Sequence, residues 1–167
     1  AIMWGGCASR AEELAARIKP VFDCIGKTAV YVGAPGAGQV AKACNQMVMV
    51  AAIEAAAEAA LLARANDLDF AKVHQAVSGG SAASRVLEVF GERMIRRDFA
   101  AGVEARLHHK DFGLLLGEAV RLVQPLPIAS SVGQQLNALM AQGDAKADTS
   151  TLLTVLERSS LPERASS

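Results

Sequence analysis

The feature that most constrains the fold is a long alanine-rich segment, free of glycine and proline, between Gln39 and Asn66. Alanine is the strongest helix former and a poor strand residue, so this segment predicts one long helix. Alanine supplies 33 of the 167 residues, whereas aromatic residues make up only 4%. We therefore predict a mainly α fold in which helices pack closely around a long central helix.

The apolar part of this segment, residues 47–65, has nearly the length of a membrane span. Glu54, Glu58 and Arg64 interrupt it, and a span needs about 20 mostly apolar residues, so we expect a buried helix of a soluble protein. The two glutamates lie one turn apart. We expect them to face solvent or to pair with arginines; a carboxylate pair is the alternative.

Charge and cysteine content exclude other classes of protein. Seventeen basic residues balance seventeen acidic ones, which argues against a partner that is nucleic acid or an anionic membrane. Three cysteines, Cys7, Cys24 and Cys44, are far apart and show no CxxC spacing. They predict a reducing, cytoplasmic compartment, without a disulfide framework or a metal site.

Residues 1–33 have the pattern of strand, helix and strand. The strands are short apolar runs at residues 2–4 and 28–32. Between them Ser9 and Glu12 form a Ser-x-x-Glu capping box that opens a helix, which a later proline breaks or kinks. Two strands cannot cover their own edges, so we expect this part to complete a sheet that lies elsewhere. The chain begins inside an apolar run without methionine, and we expect it to be a piece of a longer protein.

Residues 34–158 have the pattern of an all-helical domain. Asp69, Ser84 and Ser150 are the expected helix caps. Prolines and glycines separate the helices. We predict helices over residues 39–66, 69–77, 84–97, 106–123, 127–142 and 150–158, and a disordered polar tail over residues 159–167.

The loop before the long helix contains Gly-x-Gly-x-x-Ala at residues 36–41, the letters of a dinucleotide-binding fingerprint. A Rossmann unit needs a second strand about 30 residues later, and here the helix continues through alanines instead. The phosphate-binding P-loop also fails, because Gln39 and Val40 follow Gly38 where lysine and serine are required. We therefore do not expect this loop to bind the phosphates of a nucleotide.

Lys42 lies one turn into the long helix, where the positive end of the helix dipole disfavours a cation. Asn45 and Gln46 follow at i+3 and i+4, so their amides lie on the same face as the lysine. This grouping after a glycine loop predicts a proton-transfer site. The alternative, which the lysine alone would favour, is an exposed side chain near a helix start.

Four further polar groups have structural explanations. Gly79 to Ser81 with Ser84 could hold an anion at a helix start, but an interhelical turn capped by Ser84 is the simpler reading. His108 and His109 are adjacent, so they face different sides of a helix and do not form a metal pair. We read Lys110 with Asp111 as a surface ion pair, and the arginines at 93, 96 and 97 as a solvated patch.

Four segments resemble a known family. Residues 33–46, GAPGAGQVAKACNQ, resemble the catalytic-lysine motif of the β-hydroxyacid dehydrogenases, the 3-hydroxyisobutyrate dehydrogenase family. Residues 107–111, LHHKD, followed by an apolar helix, resemble its second motif. Residues 79–88 and 91–95 are similar to the tartronate semialdehyde reductase (2-hydroxy-3-oxopropionate reductase) branch.

The resemblance implies a two-domain enzyme. Residues 1–33 would be the end of an N-terminal NAD(P)-binding Rossmann domain. Residues 34–158 would be an all-helical domain like the C-terminal domain of 6-phosphogluconate dehydrogenase, whose long helix also builds a homo-oligomer, a dimer or tetramer. The cofactor loop would lie upstream, so we expect the 167-residue chain alone to be inactive.

The resemblance also implies roles for individual residues. Lys42 matches the general acid/base that interconverts a small β-hydroxy acid and its semialdehyde, such as glycerate and tartronate semialdehyde. Asn45 or Gln46 would orient the substrate, since many relatives have asparagine where Gln46 stands. Lys110 matches a position that binds the NAD or NADP cofactor, and no metal is implied. The alternative from another class is a helical oligomerisation module without catalysis.

Overall fold

The N-terminal part of the chain is a β-α-β unit. In the computed structural model, which describes residues 1–160, strands β1 (Ile2–Gly5) and β2 (Ala29–Gly33) pair in parallel, with Trp4 opposite Tyr31. Helix α1 (Ala11–Ile25) connects them, as a parallel pair requires a crossover. The predicted order of strand, helix and strand is confirmed. An aromatic cluster packs α1 on the sheet, because the ring of Trp4 lies 4.8 Å from that of Tyr31 and 6.3 Å from that of Phe22.

The predicted cap of α1 is wrong, and the helix is not interrupted at its proline. Ser9 lies in a short 3₁₀ turn before the helix, its hydroxyl is 3.1 Å from the sulfur of Cys7, and no side chain caps α1. The capping box fails because Ser9 belongs to this turn. Pro20 does not break α1, which runs on to Ile25. The hydrogen bond that proline removes would have ended on the carbonyl of Ala16, an exposed residue whose carbonyl water can satisfy.

Helix α2 (Ala37–Ala65) follows β2 after a three-residue loop and is continuous for 29 residues. The prediction of one long helix from the alanine-rich segment is confirmed. The chain divides into two compact units inside this helix, between Gln46 and Met47. The sequence places the domain boundary earlier, after residue 33, and the assignment of residues 1–33 to a Rossmann domain stays a prediction.

Among residues 1–160, α2 alone is long and apolar enough to cross a membrane, with a mean hydropathy of 1.6 in its most apolar window. The core helix of a soluble protein passes the same test. Val50, Ile53 and Ala57 of this helix are completely buried within the protein. The expectation of a buried helix is therefore met on one face of α2 only, because 39% of its most apolar window is buried.

The second unit begins at Met47 and is helical throughout its described part. Helix α5 (Ala105–Arg121) packs on α6 (Pro127–Ala141), and α6 packs on α7 (Leu152–Ser159). Their interior is filled by Phe112, Leu136, Leu139 and Leu152, each with 1% exposure or less. The helices after α2 are α3 (Phe70–Ser78), α4 (Glu92–Arg96), α5 (Ala105–Arg121), α6 (Pro127–Ala141) and α7 (Leu152–Ser159).

The helix caps agree with the sequence in two of three places. Asp69 accepts a hydrogen bond from the backbone N–H of Ala71, and Ser84 accepts one from that of Leu87. At α7 the expectation is wrong: a 3₁₀ turn (Thr149–Thr151) capped by Asp148 precedes the helix, and no side chain caps α7 itself. Helix α7 includes Ser159, which the sequence assigned to the tail. The predicted tail at 161–167 lies outside the described residues.

The segment predicted as one helix over residues 84–97 contains a π-helical turn, Leu87–Gly91, just before α4. The cause is a contact with α3. The imidazole of His74 lies against Gly91, where an added Cβ would come within 2.6 Å of its Cδ2 atom, and His74 Nε2 is 3.0 Å from the carbonyl oxygen of Leu87. Only glycine leaves room for this ring.

We therefore expect Gly91→Ala to destabilise the protein by about 1–3 kcal/mol, because the new methyl group displaces His74. Gly113→Ala is the matched control, since Gly113 lies in α5 with open space around it. That change should stabilise the protein by about 0.5–1 kcal/mol through helix propensity. Urea denaturation of both variants measures the difference, and equal midpoints would contradict the proposed contact.

Candidate active site

Glycines bring the start of α2 against the end of β1. A Cβ on Gly38 would lie 2.6 Å from the carbonyl oxygen of Met3, and one on Gly5 would lie 2.2 Å from that of Ala34. Gly33 and Gly36 have φ angles of +137° and +93°, which other residues rarely adopt. The glycine loop is therefore required for a close backbone approach between strand and helix.

A cavity of about 500 Å³ opens beside this approach. Lys42 supplies the one charged side chain among the described residues around it, and Lys42 is exposed, as its alternative interpretation also predicts. Gln39 lies on the same helix face at i−3, so its amide lines the cavity with the lysine. The lining is formed by Ala1, Met3, Trp4, Gly5, Gly36, Gly38, Gln39 and Lys42.

The structure separates the predicted substrate-orienting amides from this cavity lining. Asn45 Nδ2 donates a hydrogen bond to Gln46 Oε1 over 3.2 Å, and neither residue is among those that line the cavity. Gln39, which does line it, was missed by the sequence reasoning. The i, i+3 relation to Lys42 that singled out Asn45 on one side could have identified Gln39 on the other.

Lys110 lies in the first two turns of α5, in the second unit. Its side chain is 65% exposed, and its Nζ atom is 3.5 Å from Oδ1 of Asp111, which is mostly buried. The ion pair expected from the sequence is therefore present. It leaves most of the lysine side chain accessible for a ligand.

The two histidines before Lys110 contact different elements. His108 is buried, and its Nδ1 is 2.6 Å from the hydroxyl of Thr149. His109 Nε2 is 2.8 Å from Oδ1 of Asn137 in α6. This agrees with the expectation that adjacent histidines face different sides of a helix. Within residues 1–160 no three His, Cys, Asp or Glu side chains are grouped as metal ligands.

Glu54 overturns the expectation that both glutamates of α2 face solvent or arginines. It is 5% exposed, and in the described part of the chain neither carboxylate oxygen has a hydrogen-bond partner. Burial, with a smaller contribution from the charge of Glu58, raises the pKa of Glu54 to about 7. Glu58 is exposed as expected. The sequence missed this because apolar residues occupy most faces of α2 around Glu54, so the pattern marks no single buried face.

Comparison with known proteins identifies the family. A family model described as NAD-binding of NADP-dependent 3-hydroxyisobutyrate dehydrogenase matches residues 36–156. The chain belongs to the 3-hydroxyisobutyrate dehydrogenase family. The match begins at Gly36, in the glycine loop before Lys42, and continues past Lys110 into α7, so Lys42 and Lys110 both lie within it.

Individual relatives of the 3-hydroxyisobutyrate dehydrogenase family agree. The chain is 42% identical to 2-hydroxy-3-oxopropionate reductase of Escherichia coli (strain K12) over 141 residues, 84% of this chain and 48% of that protein. It is 33% identical to the probable 3-hydroxyisobutyrate dehydrogenase-like 1, mitochondrial, of Arabidopsis thaliana over 142 residues, 85% of this chain and 42% of that protein. The chain thus spans about half the length of the curated relatives it matches.

The fold has the same relatives. The crystal structure of 3-hydroxyisobutyrate dehydrogenase from Salmonella typhimurium superimposes with a TM-score of 0.80 at 25% identity, over 90% of this chain and 57% of that one. The mainly α fold class and the family expected from the sequence motifs are both confirmed.

Proposed function

We propose that this chain is the lysine-bearing half of an NAD(P)-dependent dehydrogenase that interconverts a small β-hydroxy acid and its semialdehyde. The observation that carries the proposal is Lys42, the charged side chain on the cavity beside the glycine loop, within the segment matched to the family. The similarity to 2-hydroxy-3-oxopropionate reductase favours tartronate semialdehyde and glycerate as the substrate pair. A cytoplasmic location is part of the same proposal.

The residues around the cavity fit a nicotinamide cofactor and a small acid. Its volume of about 500 Å³ lies within the usual range of small-molecule sites. Gly5, Gly36 and Gly38 line it with main chain, which suits a flat ring, and Lys42 and Gln39 add polar groups. Lys110 would contact the cofactor through its exposed ammonium group. When bound, the cofactor supplies or accepts the hydride.

Lys42 would move the proton of the reaction. Reduction of an aldehyde places negative charge on its oxygen, and an ammonium group held beside that oxygen both donates a proton and stabilises the charge. In the reverse direction the neutral amine accepts the proton of the hydroxyl group. Asn45 or Gln46 would orient the substrate, and Gln39 is a further candidate because it lines the same cavity.

We expect the 167-residue chain alone to show no turnover of glycerate or tartronate semialdehyde with NAD or NADP. Its described part contains one pair of strands, whereas a dinucleotide-binding sheet requires several. The full-length enzyme that carries this sequence should be active and should bind cofactor in a titration. Turnover by the chain alone would contradict the proposal that activity needs further parts of the enzyme. An inactive full-length protein would favour the alternative, a helical oligomerisation module without catalysis.

We also propose that the protein forms a homo-oligomer through α2. Val48, Ala55 and Leu62 repeat every seven residues and are exposed, which makes an apolar stripe of the kind that pairs helices. Sedimentation of the chain at micromolar concentration should give a dimer or tetramer. Leu62→Glu should shift it to monomer, and a monomer before the substitution would refute the interface.

A further inference from the structure

The start of α5 is fixed to a distant part of the chain by backbone hydrogen bonds. The first N–H groups of a helix have no partner within the helix. Here the N–H of Ala105 donates to the carbonyl of Ala147 over 2.8 Å, and that of Arg106 donates to the carbonyl of Ala145 over 3.0 Å. The segment before α7 therefore determines where the helix that carries Lys110 begins.

A side-chain hydrogen bond one turn later joins the same two segments. His108 is 3% exposed and Thr149 is completely buried, and the imidazole Nδ1 lies 2.6 Å from the threonine hydroxyl. A buried polar group costs free energy unless it is hydrogen-bonded. This bond therefore favours one rotation of α5 about its axis, because hydrogen bonds are directional.

The threonine is itself held in place. Its neighbour Asp148, 2% exposed, accepts hydrogen bonds from the backbone N–H of Ser150 at 3.0 Å and from its hydroxyl at 2.7 Å. The second carboxylate oxygen of Asp148 is 3.8 Å from Nη1 of Arg93. Arg93 also donates to the carbonyl of Ala100 over 2.7 Å. These contacts fix the backbone on both sides of Thr149, and its own side chain is completely buried.

We infer that His108 is a positioning residue for Lys110, acting through its hydrogen bond to Thr149. The two residues are two positions apart on α5, so they lie about 200° apart around the helix axis. Holding His108 inward on Thr149 therefore directs Lys110 outward, where its side chain is 65% exposed. The inference rests on the proposed function, in which Lys110 contacts the cofactor.

The test uses the full-length enzyme and measures KM for the cofactor, kcat and the unfolding midpoint. His108→Phe fills the buried space but removes the hydrogen bond, and it should raise the cofactor KM about tenfold with kcat within about twofold. Thr149→Val removes only the hydroxyl and should act in the same direction. Thr149→Ser keeps the hydroxyl and should restore most of the affinity. His109→Ala, at the intervening position, should leave the cofactor KM unchanged.

A double-mutant cycle separates positioning from general stability. If His108 acts through Lys110, His108→Phe should change the cofactor KM less than about twofold when Lys110→Ala is already present. Its effect on the unfolding midpoint should persist in that background. Equal effects of His108→Phe on KM in both backgrounds, or a Thr149→Ser enzyme no better than Thr149→Val, would overturn the inference. A Lys110→Ala enzyme with normal cofactor KM would instead refute the proposed role of Lys110 itself, and the positioning role with it.

Discussion

Replacing Lys42 by alanine in the full-length enzyme is expected to lower kcat by at least about 10²-fold, the usual contribution of a positioned acid or base. The loss arises because no group then donates a proton to the developing alkoxide or stabilises its charge. Cofactor affinity should change little, since the lysine is assigned to chemistry and not to cofactor binding. Steady-state kinetics in both directions, with a cofactor titration, measure the two effects separately.

Three variants complete this experiment. Lys42→Arg should not restore kcat, because a guanidinium group is larger and hardly releases its proton. Gln39→Ala, in the same cavity, should change the substrate KM more than kcat. Lys72→Ala removes an exposed lysine of α3 and should change neither. A Lys42→Ala enzyme with near-normal kcat would contradict the catalytic role of Lys42 and would indicate that the motif only forms the start of a helix.

Local sequence chemistry predicted the elements whose causes are local. The alanine-rich composition was enough for α2, because helix propensity adds along a segment. Asp69 was a correct cap because its side chain bonds only two residues away. Ser9 did not cap α1 although the capping-box motif was present, because Ser9 itself lies in a 3₁₀ turn that precedes the helix. Helix ends are decided by such small differences in local geometry.

The sequence pattern could not predict features that depend on contacts between residues far apart in the chain. The π-helical turn before α4 depends on His74, a residue of another helix that lies against Gly91. Arg93 was read as solvated, but it contacts Asp148, more than fifty positions away. The bond between His108 and Thr149 joins residues 41 positions apart. The residues that flank each of these side chains in the sequence do not indicate which distant residue it contacts.

The candidate site also has a part that the sequence could predict and a part that it could not. Lys42 and its glycines could be identified because the loop and the first helical turn are contiguous in sequence. The cavity could not, because it needs the end of β1, over thirty residues earlier, beside the start of α2. Gln39 becomes a candidate for substrate binding only because the end of β1 lies beside the start of α2. The family match extends over Lys42 and Lys110, and their roles stay predictions until they are tested.

Removing the charge of Glu54 is expected to stabilise the protein at neutral and alkaline pH. Burial raises the pKa of this carboxyl from 4.5 to about 7 in the folded protein. Below pH 4.5 the carboxyl group is protonated in both the folded and the unfolded protein. It then carries no charge and does not lower the free energy of unfolding. As the pH rises from 4.5 to 7, the unfolded chain releases the proton while the folded chain retains it, so stability falls.

Above about pH 7 the loss is complete, and a shift of this size corresponds to about 3 kcal/mol. Glu54→Gln keeps the shape of the side chain and removes the titration. Its free energy of unfolding in urea, relative to the unsubstituted protein, should therefore increase by up to about 3 kcal/mol between pH 4.5 and pH 7.5. All other carboxylates titrate in both proteins, so the difference isolates Glu54. Glu58→Gln, one turn away and exposed, should show a much smaller pH dependence, and an equal one would mean that helix charge, not burial, perturbs Glu54.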